Sequence, residues 1–204
     1  MQNFDEVLYI CFSVLLTEMP SSVIEEFMII IAVVLLGLVL FGLTMTYFLP
    51  HELFSIAQQQ ASSLSSTSTL SVGPLLVSKN SGSAVIELYN PSVSLNISIL
   101  VFAVPSYLEQ DVGIIGPTST PSFSVYLPNG QLAKTININS PIYDVGGGII
   151  YDTPIMTYTI PVNEPVTVTV NNVNSNSILI IWILYYSNGY WFRIDYGFTG
   201  VPSS

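Results

Sequence analysis

Charged side chains are scarce in this chain. They make up 8% of its 204 residues, and only three of them are Lys or Arg, whereas an ordinary soluble domain carries about 25% charged residues. Because there is no basic patch, nucleic acid is excluded as a partner. The single cysteine, Cys11, has no second thiol with which to form an intrachain disulfide, and neither His nor Cys follows His51. We therefore expect no enzyme active site, no cofactor and no metal centre.

The shortage of charge also determines the character of the surface. Seven acidic and three basic residues follow position 60, which gives this part of the chain a net charge of −4 near neutrality. Its polar surface must come from Ser, Thr, Asn, Gln and Tyr, whose solvation hardly depends on pH. Such a composition fits an exterior protein of an acid-living organism, and it fits a surface-layer protein in general equally well.

A long apolar segment is the most informative feature that is present. The run Phe27–Leu49 carries no charge, and about 20 apolar residues in a helix span the ~30 Å hydrocarbon core of a bilayer. No Lys or Arg precedes Lys79, so the positive-inside rule gives no orientation. Gly37 and Gly42 lie among larger side chains and permit close approach of helices. The segment predicts a helix that enters a membrane before or during assembly.

Residues 1–20 contain a shorter apolar stretch that is bounded by acidic residues. Asp5 and Glu6 stand where a secretory signal would have Lys or Arg. Two explanations remain open: a leader that is removed on maturation, or translation that begins at Met19. Both are favoured over a second membrane element.

The residues that follow, Ser21-Ser22-Val23-Ile24-Glu25, lead through Glu26 into the apolar run. This start resembles that of mature archaeal type IV pilins and archaellum-type proteins, although Glu18-Met19-Pro20 replaces the basic and small residues usual before the cleavage site. The resemblance implies a leader clipped on the cytoplasmic side, with Glu25 fifth in the mature chain. It also implies that Glu25, Glu26 and the apolar helix carry assembly of a homo-oligomeric filament, because such a Glu accepts a bond from a neighbouring subunit's N-terminal amine.

Composition divides the rest of the chain. We expect a membrane or filament-core helix over 21–57, broken or kinked at Leu49-Pro50. Residues 58–69 read QQQASSLSSTST, a low-complexity composition that predicts a flexible linker. From 70 to 204 the period becomes two, which predicts an extracellular domain of roughly eight or nine short strands. The chain should be mainly β, with one long N-terminal apolar α-helix followed by an immunoglobulin-like antiparallel β-sandwich.

Several strands and two turns can be placed within this domain. Alternation is clearest in Val93–Val101 and Thr167–Val170, and Ile178–Tyr186 is apolar on both faces, as in a central strand. Asn188-Gly189 and Asn129-Gly130 each separate two strand-like segments, and Asn-Gly supplies the positive φ of a type I′ hairpin turn. Weaker alternation is found in Ala84–Tyr89, Phe123–Leu127 and Thr135–Ile138.

Three groups of side chains are candidates for surface chemistry. Asn96-Ile97-Ser98 is the chain's one acceptor sequence for N-linked glycosylation, and the strand alternation turns Asn96 outward. Asp144 and Asp152 flank Gly146-Gly147-Gly148, and we interpret them as solvated loop acids rather than as ligands of a hard cation such as Ca²⁺. The aromatic residues between 185 and 192 fit cross-strand packing first, and a subunit contact second.

The first strand of the domain allows two kinds of pairing. Its candidate pairing residues are Leu70, Val72, Leu75 and Val77, and Pro74 among them is tolerated only at a sheet edge or a bulge. The segment pairs within its own domain, or it completes the sheet of a neighbouring subunit by strand addition.

We therefore expect a structural subunit of an archaeal cell-surface filament, made as a membrane-anchored precursor and used in adhesion or motility. One alternative is a membrane-anchored envelope protein that binds the surface layer, similar to the stator components of the archaellum. Another is a secreted thread-filament subunit with exchanged donor strands, which would lack the residues before about Gln58. A fourth hypothesis is a virion membrane protein.

Overall fold

The computed structural model describes residues 21–78, 81–93, 95–117, 123–171 and 176–200. Two compact units divide between Glu52 and Leu53, and each is described by itself. The leader or late translation start predicted for residues 1–20 lies outside the described residues.

The described part of the first unit, from residue 21 onward, is helical. It contains α1 (Ser21–Leu43), a π-helical turn (Thr44–Phe48) and the start of α2 (Leu49–Thr67). Large apolar side chains lie on every face of α1, and those of Phe27, Leu36 and Phe41 are 61–64% exposed. The helix is long and apolar enough to cross a membrane.

The helix continues through Pro50, so the predicted break is not found, while the kink that was its alternative stays a prediction. Pro50 is the second residue of α2, and Leu49 before it keeps the helical backbone conformation of the preceding turn. The preceding turn is wider, since the N–H of Leu49 bonds to the carbonyl of Thr44, five residues back. In a regular α-helix the ring of a proline clashes with the carbonyl four residues before it. The wider turn moves the carbonyls away from that position.

The flexible linker predicted over 58–69 is replaced by ordered structure. Helix α2 continues to Thr67, and its Ala57 and Ala61 are fully buried while Leu64 is 9% exposed. These residues follow the i, i+4, i+7 spacing of one helix face, and that face packs on the β-domain. The Nε2 of Gln58 donates to the carbonyl of Val145 at 3.0 Å, and the Oγ of Ser65 donates to the carbonyl of Ile194 at 2.5 Å.

The second unit is mainly β and forms a sandwich-like arrangement of two sheets, as predicted. The strands are β1 (Thr69–Val72), β2 (Leu76–Ser78), β3 (Ser81–Tyr89), β4 (Asn96–Pro105), β5 (Phe123–Tyr126), β6 (Thr135–Ile138), β7 (Ile142–Asp144), β8 (Ile149–Tyr151), β9 (Ile155–Pro161), β10 (Val166–Asn171), β11 (Ser177–Ser187) and β12 (Tyr190–Gly200). The first sheet has the order β1-β3-β10-β5, with β2 also paired to β3, and the second has the order β6-β9-β4-β11-β12-β7-β8. The pairs are antiparallel except for β7 and β12, which run parallel.

The strand count exceeds the expected eight or nine, since the described residues contain twelve strands. Three of the extra pieces, β2, β7 and β8, are only three residues long. Such short pieces show no resolvable alternation in a sequence. A 3₁₀-helix, Ser106–Asp111, also interrupts the predicted all-strand region.

The two predicted hairpin turns have different outcomes. Asn188 and Gly189 both have positive φ, at 51° and 92°, as a type I′ turn requires. At the other turn only Gly130 has positive φ, so the type I′ prediction is wrong there. Pro128 fixes its own φ near −65° and favours the first central position of a type I turn, which shifts the turn by one residue.

Strand β11 lies at the centre of the second sheet, between β4 and β12, as its two apolar faces predicted. Every residue from Ile178 to Leu184 is buried. The inter-sheet core lies on one face of this strand and includes the buried face of α2. The outer core lies on the other face, where Val112, Leu108 and Ile115 of the segment 106–117 cover it.

Arg193 on β12 holds the segment 106–117 against the outer core. Its Nη1 donates to the carbonyl of Gly113 at 3.0 Å, and its guanidinium lies 4.8 Å from the ring centre of Trp182 and 5.0 Å from that of Tyr196. Burial lowers the pKa of Arg193, and the nearby groups of Tyr196 and Asp144 act in the opposite direction. The stacked cation thus joins a loop to the central strands.

Replacing Ala61 by Leu should destabilise the β-domain by about 1–3 kcal/mol, because the buried face of α2 has no room for a larger side chain. Urea unfolding of the full chain in detergent, followed by the fluorescence of buried Trp182, measures the effect. Ser62→Leu is the matched control, because Ser62 is exposed on the same helix, and it should change stability by no more than about 0.5 kcal/mol. Equal effects of the two variants would show that α2 is not docked in solution.

Stability should fall in alkaline solution through Tyr158. Its hydroxyl donates to the carbonyl of Phe123 at 2.7 Å, and burial raises its pKa above the usual 10.0. The contribution is complete below pH 10.0 and is lost as the pH rises through the raised pKa, because the unfolded chain loses this proton first. Tyr158→Phe should therefore flatten the fall in unfolding free energy above pH 10.0, while Tyr126→Phe, on the exposed face of β5, should leave its slope as in the parent.

Candidate functional site

The candidate assembly residues Glu25 and Glu26 lie in the first turns of α1, and both side chains are exposed. Adjacent residues of an α-helix point about 100° apart. A neighbouring amine that approaches along one direction therefore reaches one of these carboxylates and not both. The pair supplies a candidate residue together with its own matched control.

Gly37 and Gly42, the predicted points of close helix approach, have open space around them. A Cβ built on either residue meets no atom within 4 Å outside its own helix turn. Their spacing of five residues places them on different faces of the helix, so they do not form one seam.

The hydroxyls of Thr44 and Thr46 are bonded within the helix. They donate to the carbonyls of Leu40, at 2.8 Å, and of Gly42, at 2.6 Å. Each bond joins a side chain to the carbonyl four residues before it, which satisfies the hydroxyl without any neighbouring helix.

The strand-addition candidates pair within their own domain in this single chain. Leu70 lies opposite Leu88 and Val72 opposite Ile86 on β3, and both side chains pack against the inter-sheet core. Leu75 is 1% exposed, between β1 and β2, whereas Val77 on β2 is 37% exposed. The single chain described here contains no neighbouring subunit, so strand addition to a neighbour stays a prediction.

Two local features hold this first strand in place. Pro74 lies between β1 and β2 at the sheet edge, as the sequence required. On the second sheet, Gly197 faces β1 so closely that a Cβ there would lie 2.7 Å from Cγ2 of Val72. Only glycine permits this approach of the two sheets.

Of the two acidic residues that flank the glycine loop, Asp152 is exposed and Asp144 is bonded within the loop. Oδ1 of Asp144 accepts the N–H of Gly148 at 2.7 Å, and the carbonyl of Asp144 accepts the N–H of Gly147 at 3.0 Å. Gly147 has a φ of 92°, which glycine adopts without strain. Asp144 thus closes the β7–β8 turn, and within the described part of the chain no group of three or more His, Cys, Asp and Glu side chains is placed to hold a metal.

The aromatic residues of the β11–β12 hairpin divide between two faces. Tyr190 and Phe192 pack with Phe54 of α2, at centroid distances of 5.0 and 5.6 Å. Tyr186 and Trp191 form a separate pair on the opposite face, 4.9 Å apart. The predicted single cluster is therefore a core contact for one pair and a surface feature for the other, with Tyr186 55% exposed.

Asn96, the glycosylation candidate, is the first residue of β4 and is exposed, as predicted. Ser98, which completes the acceptor sequence, is only 4% exposed. The strand lies between β9 and β11, with Ser98 opposite Thr159 on one side and Leu184 on the other.

The polar face of α2 was not foreseen, because the sequence was interpreted there as a linker. Gln59 and Ser63 separate two shallow grooves of about 500 and 440 Å³, whose linings are rich in Gln and Ser side chains. The helical spacing of the apolar residues Ala57, Ala61 and Leu64 was the signal that could have located this helix.

Comparison with known proteins yields no family model, no curated protein and no solved structure that matches this chain.

A disulfide across β1 and β3 should distinguish the two kinds of strand pairing in the intact protein. Ser71 and Glu87 are directly opposite each other, and opposite residues have Cα atoms at a distance that a disulfide spans. With Cys11 changed to Ser, the variant Ser71→Cys/Glu87→Cys should oxidise to a cross-linked monomer on a non-reducing gel. A ladder of covalent multimers would instead show exchanged strands, and Ser71→Cys alone is the control for random cross-linking.

Proposed function

We propose that this chain is the structural subunit of an archaeal cell-surface filament of the type IV pilus kind. The observation that carries the proposal is the apolar helix α1, which presents large apolar side chains on all faces and leaves them exposed. Such a helix requires lipid before assembly and a dry helical core after it. Copies of the helix from many subunits supply that core to one another.

The composition and the cores of the β-domain support a location outside the cell. Its surface relies on hydroxyl and amide groups, and its described residues draw stability from two apolar cores rather than from cysteine cross-links. Domains of this kind form the exposed layer of a filament, where they serve adhesion or motility. The start of α1 supplies the contact between subunits through Glu25.

A membrane-anchored envelope protein is the second candidate. The internal hydrogen bonds of Thr44 and Thr46 favour it, because a helix whose hydroxyls are already satisfied is stable in lipid without a partner. In this case the helix remains in the bilayer and the β-domain binds the surface layer. The thread-filament alternative requires β1 to leave β3 of its own domain and to pair with a neighbouring subunit instead.

Glu25→Ala should abolish filaments, while the chain still inserts in the membrane. The loss follows because a neighbouring subunit's terminal amine would be buried in the core without its counter-charge. The measurement is the amount of chain in sheared, sedimented filaments relative to the amount in membranes, with an expected fall of at least about tenfold.

Glu26→Ala is the matched control and should retain filaments, because its side chain points to another side of the helix. If both variants assemble like the parent, the assembly role of Glu25 is wrong. If the parent itself stays with membranes after shearing, the envelope-protein candidate replaces the filament subunit. N-terminal sequencing of the sheared material also tests whether the mature chain begins at Ser21.

A further inference from the structure

The two faces of β4 identify the surroundings of Asn96. Ile97, Ile99 and Val101 point into the inter-sheet core, whereas Leu100 and Phe102 point into the outer core. Residues of a strand alternate between faces. Asn96 therefore lies on the outer face of the second sheet, at its exposed end.

An aromatic pair lies at the same end of this face as Asn96. Antiparallel pairing of β4 with β11 ends at Ser98 and Leu184, so Asn96 and Tyr186 each lie two residues beyond the last pair. Tyr186 is in turn opposite Trp191 on β12, and the two rings are 4.9 Å apart. Side chains directly opposite across strands have Cβ atoms about 5 Å apart. Asn96 and a ring that is 55% exposed therefore lie at the same end of one sheet face.

We infer that Asn96 carries an N-linked glycan and that the first sugar lies against the ring of Tyr186. An exposed tyrosine ring offers an apolar face to the C–H groups of a pyranose, while the sugar hydroxyls remain in water. This contact would cover part of an aromatic side chain that the domain by itself leaves 55% exposed. The inference rests on the export of the domain proposed above, because the transferring enzymes and their lipid-linked donors act at the outer side of the membrane.

The burial of Ser98 determines when the sugar is attached. In the transfer, a bond forms between the sugar C1 and Nδ2 of Asn96, the bond from C1 to a lipid-linked phosphate breaks, and the amide gives up one proton to a base of the transferase. The acceptor hydroxyl must be reached at the same time, yet Ser98 is 4% exposed and lies between two paired strands. The glycan is therefore added before β4 enters the sheet.

Mass spectrometry of the full chain from producing cells tests the site. The peptide containing Asn96 should carry a glycan, and Ser98→Thr should retain it while Ser98→Ala loses it. Asn90-Pro91-Ser92 is an internal control, since proline in the middle position prevents transfer. An unmodified Asn96 in exported protein overturns the inference, and if that protein comes from sheared filaments the proposed function stands unaffected.

Thermal unfolding tests the contact with Tyr186. Asn96→Gln should lower the melting temperature of the parent by about 2–4 °C, and the same change in a Tyr186→Ala background should lower it by less than half as much. Tyr126→Ala, on the other sheet, is the control background and should leave the full shift. Equal shifts in all three backgrounds would overturn the contact between glycan and ring.

Discussion

The rest of the β-domain depends on one strand that must be covered on both sides. The run Ile178–Leu184 of β11 is buried on both faces, and a strand of this kind has no face that can be left in water. The first sheet and α2 provide one cover, and the segment 106–117 provides the other. Charged residues are few and the sequence after Cys11 contains no cysteine. The burial of β11 on both faces therefore stabilises the domain in the way that ion-pair networks or disulfides stabilise others.

Local signals were sufficient to predict much of the sheet structure from the sequence. Alternation located β3, β4, β5, β6 and β10, and an apolar run located β11 at the centre of its sheet. These signals work because each strand carries its own burial pattern. The turn at Asn188-Gly189 was predicted for the same reason, whereas the turn at Gly130 differs because the neighbouring Pro128 imposes its own φ.

The sequence could not predict features that depend on distant partners. Helix α2 has the composition of a linker. It is stabilised as a helix because Ala57 and Ala61 are buried against the β-domain. The stacking of Arg193 likewise requires a β-bulge between β11 and β12 and a loop that arrives from 106–117. The candidate site follows the same rule: Asn96 was visible as a motif, but only the pairing of β4 with β11 brings it to the same end of a sheet face as Tyr186.

The apolar helix imposes a further restriction on how it associates. Interhelical contacts in a dry environment rely on small residues that allow close approach and on polar groups that bond across helices. The hydroxyls of Thr44 and Thr46 already donate to carbonyls of their own helix. Gly37 and Gly42 lie on different faces of the helix. Any bundle of these helices must then be held together by the packing of Ile, Leu, Val and Phe side chains. Such packing does little by itself to fix the orientation of one helix relative to another. The charged start of α1 is a polar feature that can fix the register between copies, which is why Glu25 has a central role in the proposed assembly.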